Sequence, residues 1–168
     1  MQESGYRIRA AEPSDAPQLR ESIVRTLAHP TGDGKRTSYR GAAERGELML
    51  LERYNPREKT WRIEGFVEYH LRVDDTLTIR DIGSSSDPPN PAAVKFLLLD
   101  LLRTVQPVSA TVKVRQDATA WNEILQNTPG WSQEGREYRR PHYIIIWRWS
   151  REAAERALRG APRGRRRP

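Results

Sequence analysis

Glu64, Glu68 and His70 recur at even spacing within one run of the chain. Even spacing in an extended segment puts side chains on one face. The three can therefore form an acid–base cluster, or simply a solvated strand face. The other histidines are His29 and His142, and no two of the three have the spacing of paired metal ligands. A histidine-rich metal centre is not expected. The chain has no cysteine, which excludes disulfide frameworks, thiolate zinc sites and cysteine nucleophiles. Thr31-Gly32-Asp33-Gly34-Lys35 has two glycines beside a lysine. No strand pattern precedes it and no Gly-Lys-Ser/Thr follows, so it fails as a phosphate-binding P-loop.

These groups must be positioned by a regular series of elements. Tyr6, Ile8 and Ala10 alternate with Arg7 and Arg9, the period of a half-buried strand. A helix is expected from Ser14 as N-cap, with Ala16, Leu19, Ile23, Val24 and Leu27 on one face, stopping before Pro30. A short helix over Ser38–Arg45 ends at Gly46. Leu48-Met49-Leu50-Leu51 is apolar on both faces, as in a covered strand. The next strand carries Trp61, Ile63, Val67, Tyr69, Leu71 and Val73 on one face, and Glu64, Phe66, Glu68 and His70 on the other. Asp74-Asp75 is a hairpin turn. In the strand that follows, Leu77 and Ile79 share a face but the next apolar residue is Ile82. An extra residue near Arg80-Asp81 explains the slip as a β-bulge.

Asn90 and Pro91 read as N-cap and first residue of the clearest helix, with Val94, Leu97, Leu98, Leu101, Leu102 and Val105 at helical spacing. Val108, Ala110, Val112 and Val114 make a strand. A helix opens at Asp117-Ala118-Thr119 and ends before Pro129-Gly130. Two strands, 131–140 and 142–149, close the domain.

With 168 residues, the chain suits one compact domain, since domains usually run about 100–150. It carries 29 Lys+Arg against 22 Asp+Glu, or +7. Residues 151–168 hold seven arginines and two glutamates, so +5 sits there and +2 on residues 1–150. The division is one folded domain over 1–150 and an Arg-rich tail over 151–168, partly helical or disordered. Such a tail solubilises, or makes weak, non-specific nucleic-acid contact through phosphates. No apolar run approaches the roughly 18–20 residues of a membrane span. Met1–Gly5 lacks a signal pattern, and a soluble cytoplasmic protein is expected.

Of the five tryptophans (61, 121, 131, 147 and 149), Trp61 and Trp147 read as core. Strand 142–149 is apolar on both faces, yet its neighbour 131–140 is polar. Exposed aromatic surface of that kind is commonly an interface. A homodimer burying the final hairpin, with Trp149 near its centre, is therefore expected. The alternative cover is a helix after residue 150 presenting Ala153, Ala154, Ala157 and Leu158.

Ile8–Ala16, the bulged strand at Leu77–Ile82, and Asp117–Asn122 through Gly130-Trp131 are similar to the corresponding segments of the GNAT N-acetyltransferases. The resemblance covers about residues 6–149. It implies a mixed α/β fold with a central sheet of about seven strands and about four flanking helices. It also implies acyl transfer from acyl-CoA to an amine, with acetyl-CoA or another acyl-CoA as cofactor. In the family a Gln/Arg-x-x-Gly-x-Gly/Ala loop before the third helix binds the pyrophosphate. Here the matching stretch, Pro88–Lys95, has three prolines and no glycine. The residues implied for the cofactor are Ile82, Gly83 and Ser84 on the strand and Ala92, Ala93, Val94 and Lys95 at the helix start. The proton acceptor implied on the fourth strand is Asp81; a salt bridge to Arg80, or a solvent-facing bulge residue, is the alternative. The position of the family's thiolate acid falls on Leu125 or Gln126, and the nearest tyrosine is Tyr138. A second reading is a non-catalytic module of the same fold, acting by protein or nucleic-acid contact, with CoA binding weak or absent.

Overall fold

The computed structural model describes residues 5–22 and 38–160. Seven strands form one sheet: β1 (Tyr6–Ala10), β2 (Leu48–Asn55), β3 (Thr60–Leu71), β4 (Thr76–Ser84), β5 (Ser109–Arg115), β6 (Trp131–Arg139) and β7 (His142–Ser150). Their order is β1-β2-β3-β4-β5-β7-β6. All neighbours are antiparallel except β4 and β5. That parallel pair requires a crossover, supplied by α3 (Pro91–Val105). The remaining helices are α1 (Ala16–Ser22), α2 (Tyr39–Glu44), α4 (Thr119–Gln126) and α5 (Arg151–Gly160).

The sheet separates two cores. On one face Leu97, Leu98 and Leu101 of α3 and Trp121, Ile124 and Leu125 of α4 pack with Val67, Ile79, Val112 and Trp147. On the other, Leu19, Tyr39, Ala42 and Ala43 from the first two helices pack on Leu48, Leu50, Ile63 and Phe66. Strand residues two apart serve one face each, which is why the first half of β2, Leu48–Leu51, is apolar on both faces and reads as covered.

Three readings of the sequence change. The expected helix from Ser14 begins instead as a 3-10 turn, Pro13–Asp15, capped by Glu12. Glu12 N–H donates to Asp15 Oδ2 at 2.7 Å. Ile23, Val24 and Leu27, expected to continue that helix, lie outside the described residues. Strand β3 also carries a bulge: Leu51 pairs with Gly65 and Glu52 with Ile63, so Glu64 is the extra residue. Ile63 therefore packs with Phe66 rather than with Val67. Trp61 is half-buried under the Arg7 guanidinium, 4.2 Å from its ring centre, and is not a core residue.

Trp147 and Trp149 are both buried within the one chain. Helix α5 folds back over the hairpin, and Ala154 packs against the larger core. Arg151 anchors its start by donating to the carbonyl of Gln106, and to that of Pro107 at 3.0 Å. The cover expected from a second copy is thus provided by the alternative, the segment after residue 150. Tail residues 161–168 lie outside the described residues. No described helix is long and apolar enough to cross a membrane.

Candidate functional site

The parallel pairing of β4 with β5 is short. It joins Thr76–Ile79 to Ser109–Val112 and goes no further. Strand β4 continues to Ser84 against β3, while β5 continues to Arg115 against β7. Beyond Ile79 and Val112 the two strands part. The cause lies in β4: Tyr69 pairs with Ile79 and Glu68 with Asp81, so Arg80 is an inserted residue. A bulge bends its strand and increases the local twist, and here it swings the second half of β4 away from β5. The slip from Ile79 to Ile82 in the sequence marks that bulge.

The bulge also aims two side chains. Arg80 is exposed, whereas Asp81 turns inward and is only 5% exposed. Asp81 stands opposite Glu68 on β3, itself 8% exposed. Asp81 is therefore not the solvent-facing bulge residue that the alternative reading allowed. Two buried carboxylates meet where the sheet opens.

Groups around α2 complete this cluster. Ser38 caps α2 by accepting from the Gly41 N–H at 3.2 Å, which seats the buried Tyr39 in the first turn. The Tyr39 hydroxyl is held above its ordinary pKa, by burial first and then by the charges of Asp81 and Glu68, with Arg20 opposing. It sits near the carboxylates as a neutral phenol. Arg45, the C-cap of α2, donates to Glu68 Oε1 at 3.4 Å and to Glu47 Oε1 at 2.9 Å. His70 Nδ1 hydrogen-bonds the other oxygen of Glu47. Burial works to raise the Glu47 pKa, but the hydrogen bonds from His70 and Arg45 hold it below the usual carboxylate range. Of the trio Glu64, Glu68 and His70, the last two are linked through Glu47 and Arg45. Glu64 is displaced by its own bulge and pairs with Arg53 at 3.8 Å. Tyr39 and Arg45 were not legible as site residues, because nothing local ties a six-residue helix to a strand bulge some forty residues away.

No family model matches the sequence, and no curated protein matches it. Solved structures do. An acetyltransferase of the GNAT family from Bacillus cereus ATCC 10987 superposes with a TM-score of 0.66 at 14% identity, covering 86% of this chain and 96% of that one. Ribosomal-protein-S5-alanine acetyltransferase from Vibrio fischeri gives 0.65 at 12% identity, covering 89% and 95%. A spermidine N-acetyltransferase SpeG chimera from Vibrio cholerae and hSSAT gives 0.65 at 12% identity, covering 92% and 99%. This chain has the GNAT fold. At such identities the likeness concerns architecture, and the reaction must be argued from the site.

In the GNAT fold the parting of β4 and β5 is where the donor implied by the resemblance would lie. Ile82, Gly83 and Ser84 follow Asp81 along the diverging edge. Ile82 belongs to the core under α3. Gly83 stands opposite Phe66 and Ser84 opposite Gly65. A Cβ at Gly65 would meet the Gly83 carbonyl oxygen at 2.9 Å, so only glycine fits there. The parting of this edge from β5 suits the extended arm of a thioester.

The pyrophosphate end does not fit. Anions bind helix N-termini through backbone N–H groups that lack partners. At α3, Pro91 has no N–H. Asn90 Oδ1 accepts from Ala92 at 3.0 Å and from Ala93 at 3.5 Å. The Val94 N–H donates to the Asn90 carbonyl at 3.1 Å. In the preceding loop Ser85 N–H donates to Glu64 O at 2.9 Å, and Ser86 N–H to Ser84 Oγ at 3.2 Å. Pro88 and Pro89 have none to offer. Lys95 is half-exposed one turn into the helix. An N-cap of this type is worth about 1 kcal/mol, which an entering phosphate would have to displace.

The other implied positions are plain. Leu125 is buried in the core and Gln126 is exposed at the end of α4. Asn122 of the same helix is a staple: Oδ1 accepts from Trp147 Nε1 at 2.9 Å and Nδ2 donates to Arg115 O at 2.9 Å. Tyr138 is 59% exposed at the far end of the last hairpin, 5.0 Å from the Tyr143 ring.

Proposed function

We propose that this chain is an N-acyltransferase of the GNAT fold in which Asp81 accepts the proton of the acceptor amine. The observation that carries the reading is the buried Asp81–Glu68 pair at the point where β4 leaves β5. Such a reaction needs an amine stripped of its extra proton beside an acyl carbon. Carboxylates draw in the ammonium form, and one of them takes its proton. The amine nitrogen then attacks the acyl carbon. An N–C bond forms, the C–S bond of the thioester breaks, the thiolate leaves, and the acylated nitrogen gives its second proton to water. Among the described residues no phenol or imidazole stands at the α4 position implied for a thiolate acid, so water protonates the leaving group. Arg45 holds Glu68 in place, and Tyr39 stands beside the carboxylates as a neutral phenol.

The test is acetyl transfer to simple primary amines from acetyl-pantetheine and from acetyl-CoA. Asp81→Asn should lower kcat by about 10²–10⁴-fold, the range for losing a general base, with an unchanged melting temperature. Full activity in Asp81→Asn, or no transfer by the parent chain from either donor, overturns the reading.

One observation favours a second reading, a non-catalytic module of the same fold. The amides at the head of α3 are consumed by Asn90. In that reading the module works by protein or nucleic-acid contact. Acetyl transfer abolished by Asp81→Asn would exclude it.

A further inference from the structure

We infer that the acyl donor of this chain is recognised by its thioester-bearing arm along β4 and not by a diphosphate at the head of α3, Asn90 being the residue that closes the anion site. The donor half of this inference rests on the acyltransferase reading; the closure by Asn90 does not. Asn90 is clamped from both ends. Its Oδ1 faces the Ala92 and Ala93 amides, and its Nδ2 donates to Tyr6 Oη of β1 at 3.5 Å. The Tyr6 contact sets which end of the amide faces the helix, because a flipped Asn90 would point N–H groups at N–H groups. Tyr6 is itself held against the Phe96 ring of α3, tilted, with ring centres 6.2 Å apart. The rest of the approach is unfavourable to an anion. Three of its residues are prolines, the amides of Ser85 and Ser86 are engaged, and the exposed Asp87 adds a negative charge. A nucleotide diphosphate gains nothing there over the solvent it leaves. The arm that runs along Ile82–Ser84 meets no such obstacle.

The consequence is a donor whose affinity does not depend on the nucleotide. The experiment is calorimetry on the full chain with free CoA and with pantetheine, which share the thiol arm and differ in the phosphates and nucleotide. In the parent chain CoA should bind no tighter than pantetheine. Asn90→Gly releases the Ala92 and Ala93 amides and should make CoA at least about tenfold tighter than pantetheine, the scale of one charge-assisted hydrogen bond. Asn90→Asp keeps the cap and adds a negative charge, and should behave as the parent. Melting curves of both variants establish that they fold. CoA binding the parent at least tenfold tighter than pantetheine, on the same scale, overturns the inference. So does an Asn90→Gly variant that folds and shows no gain. Failure of acetyl transfer would remove the acyltransferase reading and leave this binding comparison intact.

Discussion

Gly130 lies flat against the indole of Trp149. A Cβ added at Gly130 would stand 2.6 Å from Trp149 Nε1 and 2.9 Å from Ala154 Cβ. Its φ of +90° is also one that side chains rarely adopt. One glycine thus lets the β6 entry, the last residues of β7 and helix α5 close on each other. Gly130→Ala should lose about 2–4 kcal/mol through strain and overpacking together. Denaturant midpoints measure this, and an unchanged midpoint would mean that Trp149 is not seated against residue 130.

Helix α5 has no buried residue of its own, yet it covers Trp149. A chain ending at Ser150 should melt at lower temperature, shift its tryptophan fluorescence to the red, and scatter more light with rising concentration. A truncated chain that stays monomeric and equally stable would show that α5 covers nothing of consequence.

A homodimer through the last hairpin remains a proposal, and the structure moves its centre. Trp149 is covered, while Tyr138 and Tyr143 are 59% and 47% exposed. Light scattering at tens of micromolar, on the order of weak dimer constants, should show a dimer broken by Tyr138→Ala. In Trp149→Ala the loss should be in stability. A monomer across that range would remove the dimer.

Acid should weaken the N-terminal corner. Asp15 is held below the usual carboxylate range, chiefly by the hydrogen bond from Arg9, with burial opposing and the Glu12 N–H assisting. A carboxylate with a lowered folded pKa contributes stability above its unfolded value, about 3.9. That contribution disappears as pH falls through the folded value. The gap between the parent and Asp15→Asn should therefore be about 1–2 kcal/mol at neutral pH and should close below about pH 4. A gap that persists in acid would mean that the loss is steric rather than ionic.

Nucleic-acid contact, if any, should come from residues 151–168, which carry +5 of the +7. Within α5, Arg156 pairs with Glu152 at 2.8 Å and Arg159 with Glu155 at 3.8 Å, and Arg151 is spent on two carbonyls. Four more arginines follow in the sequence. Gel shifts in rising salt should give a slope of about −3 to −4, lost on removing residues 159–168. Undiminished binding after that truncation, or a clear sequence preference, would place the contact on the folded domain.

Much of this was legible in the residues themselves. The seven strands, the crossover helix and the bulge at Arg80 all follow from periods of two and 3.6, which are local properties of the backbone. The N-cap role of Asn90 was equally local. What alternation could not supply was pairing. Glu64 looks like a neighbour of Glu68 until the ladder with β2 inserts it as an extra residue. Asp81 looks like a solvent-facing bulge until the ladder with β3 sets it against Glu68. Register is a non-local choice, and one inserted residue flips every side chain before it to the opposite face. Likewise an asparagine cap is an ordinary helix start in sequence. Only the position of Tyr6, brought in by β1 from the far end of the chain, turns it into a fixed plug. Residue spacing decided the elements, and tertiary pairing decided which charges meet and which amides are already taken.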